Sequence, residues 1–165
     1  MRTITTRPLT AEAFAPFGDV LEAAGEPDRI INGGLCGRFH DQATLDFADG
    51  RAGISLFDAE PRTLPHTLDL MERHPLGSQA FLPMHGHPYL VVVAPDQDGA
   101  PGEPQAFVTL PGQGVNYRRN TWHGVLTPLT VSGVRTGLFA VVDRIGAGEN
   151  LEEHHFAEPW TVVEG

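Results

Sequence analysis

Apolar positions in this chain come in short runs separated by turn residues. Tyr89-Leu-Val-Val-Val-Ala94 is continuously apolar over the length of one strand, and it predicts a strand buried on both faces. Gly53-Ile-Ser-Leu-Phe57 and Gln105-Ala-Phe-Val-Thr-Leu110 alternate, as half-buried strands do. Leu129–Ser132 and Thr136–Val142 continue the strand-rich second half, and Gly112 and Gly114 open another strand at Val115–Tyr117. Near the start, Thr10 can cap a short helix through about Phe14, stopped by Pro16. Pro95 to Pro104 reads as a polar turn. Thr67 to His74 holds good helix formers, yet Leu68, Leu70, Glu72 and His74 repeat at every second residue. Read as a strand, it turns Glu72 and His74 to one face and Arg73 to the other.

Composition sharpens this picture. The 165 residues fit one domain spanning 1–165, and 19 Gly and 14 Pro spread along it punctuate the chain into short segments. Both point to an all-β fold with few short helices. Apolar residues make up 41%, which excludes disorder. The 11 basic residues are all Arg, set against 21 acidic residues for a net charge of −10. A nucleic-acid binder needs a basic footprint, and this balance excludes one. Without Lys there is no amine for Schiff-base chemistry. Cys36 is the only cysteine, so no intrachain disulfide forms and cysteine-built zinc sites are excluded. The stretch from Met1 to Pro16 lacks the apolar core of a signal peptide, and the longest apolar run is too short to span a bilayer. A cytoplasmic protein with no membrane partner is expected.

Chemistry can only come from a few side chains, among them eight His. His85-Gly-His87 looks like half a metal site, but Pro83, Gly86 and Pro88 make a polar loop the plainer reading. Glu72-x-His74 is the second grouping. A turn at Pro75-Leu-Gly77 can bring Gln79 to the same face, and His123 follows far downstream after Trp122. Two oxygen donors and two imidazoles suit a divalent transition metal, whereas mutually hydrogen-bonded polar residues in a barrel are the alternative. His154-His155, after Glu152-Glu153, reads as solvated surface. Arg38-Phe-His40-Asp41 can clamp a carboxylate, or form a surface salt bridge.

The spacing of the second grouping resembles the metal motifs of cupins. Glu72, His74, Gln79 and Gly86 match the first motif, and Gly112, Arg118, Asn120 and His123 the second, with Glu72, Gln79, Arg118 and Asn120 departing from the usual residue types. Over almost its whole length the chain also resembles the ureidoglycolate lyase family. The resemblance is carried by Ile31–Gly34, Arg38–Asp41, Pro61-Arg62 and Leu64-Pro65, then by Met71–Phe81, Leu90–Ala94 and Gly114–Tyr117. It ends on Trp122-His123, Val142-Asp-Arg144, Gly148, Asn150 and Leu151. Gly124 stands where the family often has a second His, and His85 and His87 lie outside the family pattern. The resemblance implies a cupin-type double-stranded β-helix (jelly-roll) barrel, a homodimer, nickel as the metal, and a role in allantoin and purine nitrogen catabolism.

The reaction so implied cleaves ureidoglycolate, a hemiaminal, to glyoxylate and urea. It needs a proton taken from a hydroxyl and one given to nitrogen. Glu72, His74, Gln79 and His123 are the expected catalytic residues and, where a metal is bound, its ligands. Without a metal, His74 or His123 can act as base. Arg38 and His40, from the N-terminal segment or a partner subunit, are expected at the substrate carboxylate, and Ser78, Asn116 and Tyr117 at the ureido group. The rival readings are another metal-dependent cupin enzyme on a small organic acid, such as an isomerase or dioxygenase, a non-catalytic cupin that binds a small ligand, and hydrolysis of the ureido carbonyl to ammonia.

Overall fold

The computed structural model describes residues 2–133 and 135–165. It opens with strand β1 (Arg2–Pro8), the one-turn helix α1 (Ala11–Phe14) and β2 (Gly18–Leu21). A small hairpin follows, β3 (Arg29–Ile31) and β4 (Cys36–Arg38), joined by a 3-10 turn at Asn32–Gly34. The central strands are β5 (Arg51–Ala59), β6 (His66–Arg73), β7 (Gln79–Pro83) and β8 (Tyr89–Ala94). The short β9 (Asp96–Gln97) and β10 (Ala100–Pro101) lead to β11 (Gln105–Val108) and β12 (Gly114–Tyr117). Next come β13 (Trp122–His123) and β14 (Thr127–Pro128), and then the long β15 (Gly137–Ile145) and β16 (Glu152–Val163).

These strands build the expected all-β, cupin-like barrel. One sheet has the order β11-β1-β16-β6-β13-β8-β14, and β11 also pairs with β8, so this sheet curls until it closes. The other has the order β2-β12-β7-β15-β5. The barrel is mixed, because β1 runs parallel to both β11 and β16.

Strand β8 explains its own sequence. Tyr89, Val91 and Val93 join the core between the two sheets, with Phe14, Phe107, Val115, Phe139 and Val141. Leu90, Val92 and Ala94 face a second core, with Met71, Trp122, Trp160 and Val162. Both faces are dry, so an unbroken apolar run is the stable solution. The Thr10 cap forms as expected, its hydroxyl accepting a hydrogen bond from the Ala13 amide at 3.2 Å.

Several expectations need correction. Leu129–Ser132 is not a strand: β14 precedes it, and Leu129 makes one isolated bridge to Arg62. Pro95 to Pro104 is more than a turn, since β9 and β10 pair within it. Glu152 to His155 belongs to β16 and pairs with β6; His155 lies on the surface as expected, but His154 is half-buried against the Trp122 and Phe156 rings. On β6 the period of two breaks, for Leu68 and Met71 share one buried face. A register shift in β16 between His155 and Trp160, opposite Leu70 and Leu68, accommodates this break. Among the described residues, no helix is long and apolar enough to cross a membrane.

Phe107 is fully buried against Phe14, ring centroids 6.1 Å apart. Phe107→Ala is expected to lower unfolding stability by about 3–5 kcal/mol in urea denaturation. A loss below about 1 kcal/mol would show that this core collapses around the gap.

Candidate metal centre and active site

Three side chains, those of Glu72, His74 and His123, come together in the barrel, and Gln79 opens a neighbouring strand. Glu72 comes from β6 and pairs across to His123 on β13. His74 follows β6 directly, and Gln79 opens β7. Ligand atoms of Glu72, His74 and His123 all lie within 4.8 Å of one another. Parity decides the direction. Met71 and Trp122 take the other core, so Glu72 and His123 turn into the space between the sheets.

Two backbone carbonyls orient the imidazoles. His74 Nδ1 lies 2.7 Å from the Asn150 carbonyl oxygen, and His123 Nδ1 lies 3.0 Å from that of Gly124. A carbonyl only accepts, so each Nδ1 must donate. Each Nε2 is then left with a bare lone pair. Both Nε2 atoms are buried without a hydrogen-bond partner, and so is Gln79 Oε1. Gln79 Nε2 donates to Asp143 Oδ2 at 3.2 Å, which turns its oxygen away from that bond. Orphaned buried acceptors are costly, and the two imidazole nitrogens beside the Glu72 carboxylate suit a cation. The donor set of two imidazoles, a carboxylate and an amide oxygen fits a divalent transition ion.

Electrostatics agrees. Burial pushes the Glu72 carboxyl above its usual range, with Glu153 adding and His74 opposing. Burial, then repulsion from His74, lowers His123 to about 3, against a smaller pull from the Gly124 carbonyl. The site thus disfavours a lone negative charge and holds His123 neutral, as a ligand must be. A bound dication would reverse the cost of ionising Glu72.

The other expected residues divide. Tyr117 does reach the cluster: its ring stacks on His123 at 4.3 Å, nearly parallel. Ser78 and Asn116 do not. Ser78 exchanges two hydrogen bonds with the backbone of Asp46, and Asn116 donates to Asp19 and to the Thr44 carbonyl. Both face outward and hold the 42–48 segment against the barrel. Arg38 and His40 are exposed on and after β4. Among the described residues, neither side chain bonds to the cluster. Arg73 points away as expected, pairing with Asp96 at 2.7 Å and Glu152 at 2.6 Å and covering the Trp122 ring.

The roles of two residues escaped the sequence reading. Asp143 lies on β15, where the register Val142 with Ala80 sets it opposite Gln79. Its inward parity with Val141 was the available signal. Asn150 fixes His74 through its carbonyl and the Leu76 amide through its side chain. A role played by a backbone carbonyl leaves no mark on residue type.

A closed β-barrel holding two histidines and a carboxylate close enough to share an ion defines a cupin-like fold with a candidate metal site. The model of the ureidoglycolate lyase family matches residues 1–163, and the chain belongs to that family. It is similar to a ureidoglycolate lyase of Rhodobacter capsulatus, 63% identical over 100% of both chains. It is also similar to a ureidoglycolate lyase of Chelativorans sp., 52% identical over 98% of this chain and 97% of that one. A dTDP sugar isomerase from Desulfovibrio desulfuricans shares the fold alone, with TM-score 0.51, 17% identity and 83% of each chain covered.

The buried His123 sets a pH dependence. Its folded pKa lies below the ordinary 6.5, so between about 3 and 6.5 the unfolded chain binds the extra proton. Stability from this group is therefore complete above 6.5 and drains as pH falls. Chelator-treated protein is expected to lose up to about 1.4 kcal/mol per pH unit below that point. In thermal melts, His123→Asn removes this part of the slope. Subtracting the variant's slope isolates His123 from Glu72, whose raised carboxyl works in the opposite sense. Equal slopes in both proteins would contradict the neutral buried imidazole.

Proposed function

We propose that this chain cleaves ureidoglycolate to glyoxylate and urea, as a lyase of allantoin and purine nitrogen degradation. The observation that carries the reading is the set of buried, unpartnered acceptors of His74, Gln79 and His123 beside Glu72 in a chain of this family. These four residues would hold a divalent metal, and nickel is our proposed ion. When bound, it lowers the pKa of the substrate hydroxyl and orients it.

Collapse of the hemiaminal moves one proton. The O–H bond breaks, a C=O bond forms, the C–N bond breaks, and the nitrogen of the departing urea gains the proton. No net acid or base is consumed. Asp143, held at Oδ2 by Gln79 and outside the donor set, is our proposed carrier of that proton between oxygen and nitrogen. Tyr117 packs its ring flat against His123 and keeps it in place. The substrate is an anion approaching a chain of net charge −10, so an Arg must meet its carboxylate locally.

Among the described residues no Arg side chain bonds to the cluster, and we infer that a second copy of the chain supplies it. The outer face of β5 and the β3–β4 hairpin carry Ile54, Leu56 and Leu35 at 77%, 64% and 91% exposure. Apolar surface of this kind is buried against a second copy. In that arrangement Arg38 and His40 reach the site from the partner. We further propose that residues 1–165 act as one unit in the cytoplasm.

Purified protein given ureidoglycolate is expected to release its nitrogen as urea, and release as ammonia would overturn the lyase reading. His123→Ala is expected to abolish urea release while the protein stays folded. Retained turnover would remove His123 from the site. Arg38→Ala is expected to raise KM far more than it lowers Tm. Leu35→Glu with Leu56→Glu is expected to convert a dimer to monomers in light scattering, and an unchanged mass would contradict the proposed interface.

A further inference from the structure

Asp143 turns into the barrel, where it bonds to Gln79, so by alternation its neighbour Arg144 leaves the interior. The Arg144 side chain is nevertheless only 2% exposed. The Gly77 backbone lies against it on one side and that of Gly146 on the other. A Cβ on Gly77 would meet the Arg144 Cβ at 2.7 Å, and one on Gly146 would meet the guanidinium at 2.7 Å, so both positions leave the room that a larger residue would take. The guanidinium reaches two acceptors. Nε and Nη2 bond to Asp49 Oδ1, and Nη2 also donates to the Ala147 carbonyl at 2.6 Å.

A buried ion pair adds little stability over a packed apolar side chain. What the planar fork adds is direction. Here it points to residues 146–149, which are all exposed. Among the described residues, their backbone takes one hydrogen bond, the one from Arg144. Directly after them, the Asn150 carbonyl meets His74 Nδ1 at 2.7 Å, and the Asn150 side chain accepts from the Leu76 amide at 2.7 Å. The Leu76 carbonyl accepts from the Ala48 amide at 2.9 Å, and Asp49 follows Ala48. These links form a closed ring of three segments around His74, and Arg144 is where the ring closes.

The structure assigns Arg144 a positioning role at the candidate centre. Its guanidinium holds the Asn150 carbonyl on His74 Nδ1 and so keeps the His74 Nε2 lone pair turned to Glu72 and His123. The inference rests on His74 being a metal donor, as proposed above. Without the fork, residues 146–149 lose their anchor and the Nδ1 proton loses its fixed acceptor. The His74 ring then exchanges tautomers, and a protonated Nε2 offers no lone pair to an ion.

Nitrogen-15 NMR of the imidazoles in the chelator-treated full chain reads the tautomers directly. The unaltered protein is expected to show His74 and His123 both in the Nδ1–H form. Arg144→Met fills similar space and removes the fork. It is expected to bring His74 to a mixture of tautomers, to leave His123 unchanged on the Gly124 carbonyl, and to weaken Zn2+ binding about 10- to 100-fold in competition with a chromophoric chelator. A lower Tm with either the His74 tautomer or the Zn2+ affinity unchanged would reduce Arg144 to a structural residue and overturn the inference. Asp49→Ala covers the case in which Arg144→Met does not fold, because the Asp49 side chain is 64% exposed. It opens the same ring and is expected to move both readouts in the same direction, and no change in either would equally overturn it. If the unaltered chain binds no Zn2+, the metal reading fails and the His74 tautomer alone decides the role of Arg144. Neither readout uses ureidoglycolate.

Discussion

Two carbonyl oxygens, those of Asn150 and Gly124, govern what this barrel can do. By accepting the Nδ1 protons of His74 and His123 they fix both tautomers and aim two lone pairs at one point. The amide of Gln79 is constrained in the same way by Asp143. A polar group buried in this manner is unstable on its own, since water no longer reaches it and nothing in the protein replaces water. The cluster of Glu72, His74 and His123 is therefore suited to a cation.

The scaffold enforces that arrangement by parity. Each strand that contributes a donor buries its alternate residues in an apolar core, as Met71 beside Glu72 and Trp122 beside His123 illustrate. Sliding β6 by one residue would turn the Glu72 carboxylate into the apolar core, and sliding β13 would turn Trp122 out of it, so the register is strongly specified. Outside the barrel, Arg73 ties β6 to Asp96 and Glu152 and roofs Trp122, bracing both donor strands from behind. Arg144 pairs with Asp49 and binds the Ala147 carbonyl, fastening the segment before β5 to the end of β15.

Much of this was legible in the sequence where residue type carries direction. The period of two at Glu72 and His74 placed them on one face, and the unbroken run at 89–94 announced a strand with two dry sides. Asn120 has φ of 68°, a left-handed turn conformation that asparagine tolerates. Ser78 and Asn116 misled because polar residues on a barrel strand serve equally well to tie down an outside segment. Strand β1 was missed because its pairing is parallel and distant, and only Ile4 and Thr6 turn inward. Asn150 enters only through the resemblance, and its part in orienting His74 was not legible because any residue supplies the carbonyl used there.

X-ray absorption at the edge of the bound metal addresses the shared centre most directly. The expected spectrum has a first shell of nitrogen and oxygen at about 2.0–2.2 Å and the outer-shell pattern of imidazole, with that pattern reduced in His74→Asn and again in His74→Asn/His123→Asn. A spectrum that both substitutions leave unchanged would mean that the four side chains do not share an ion.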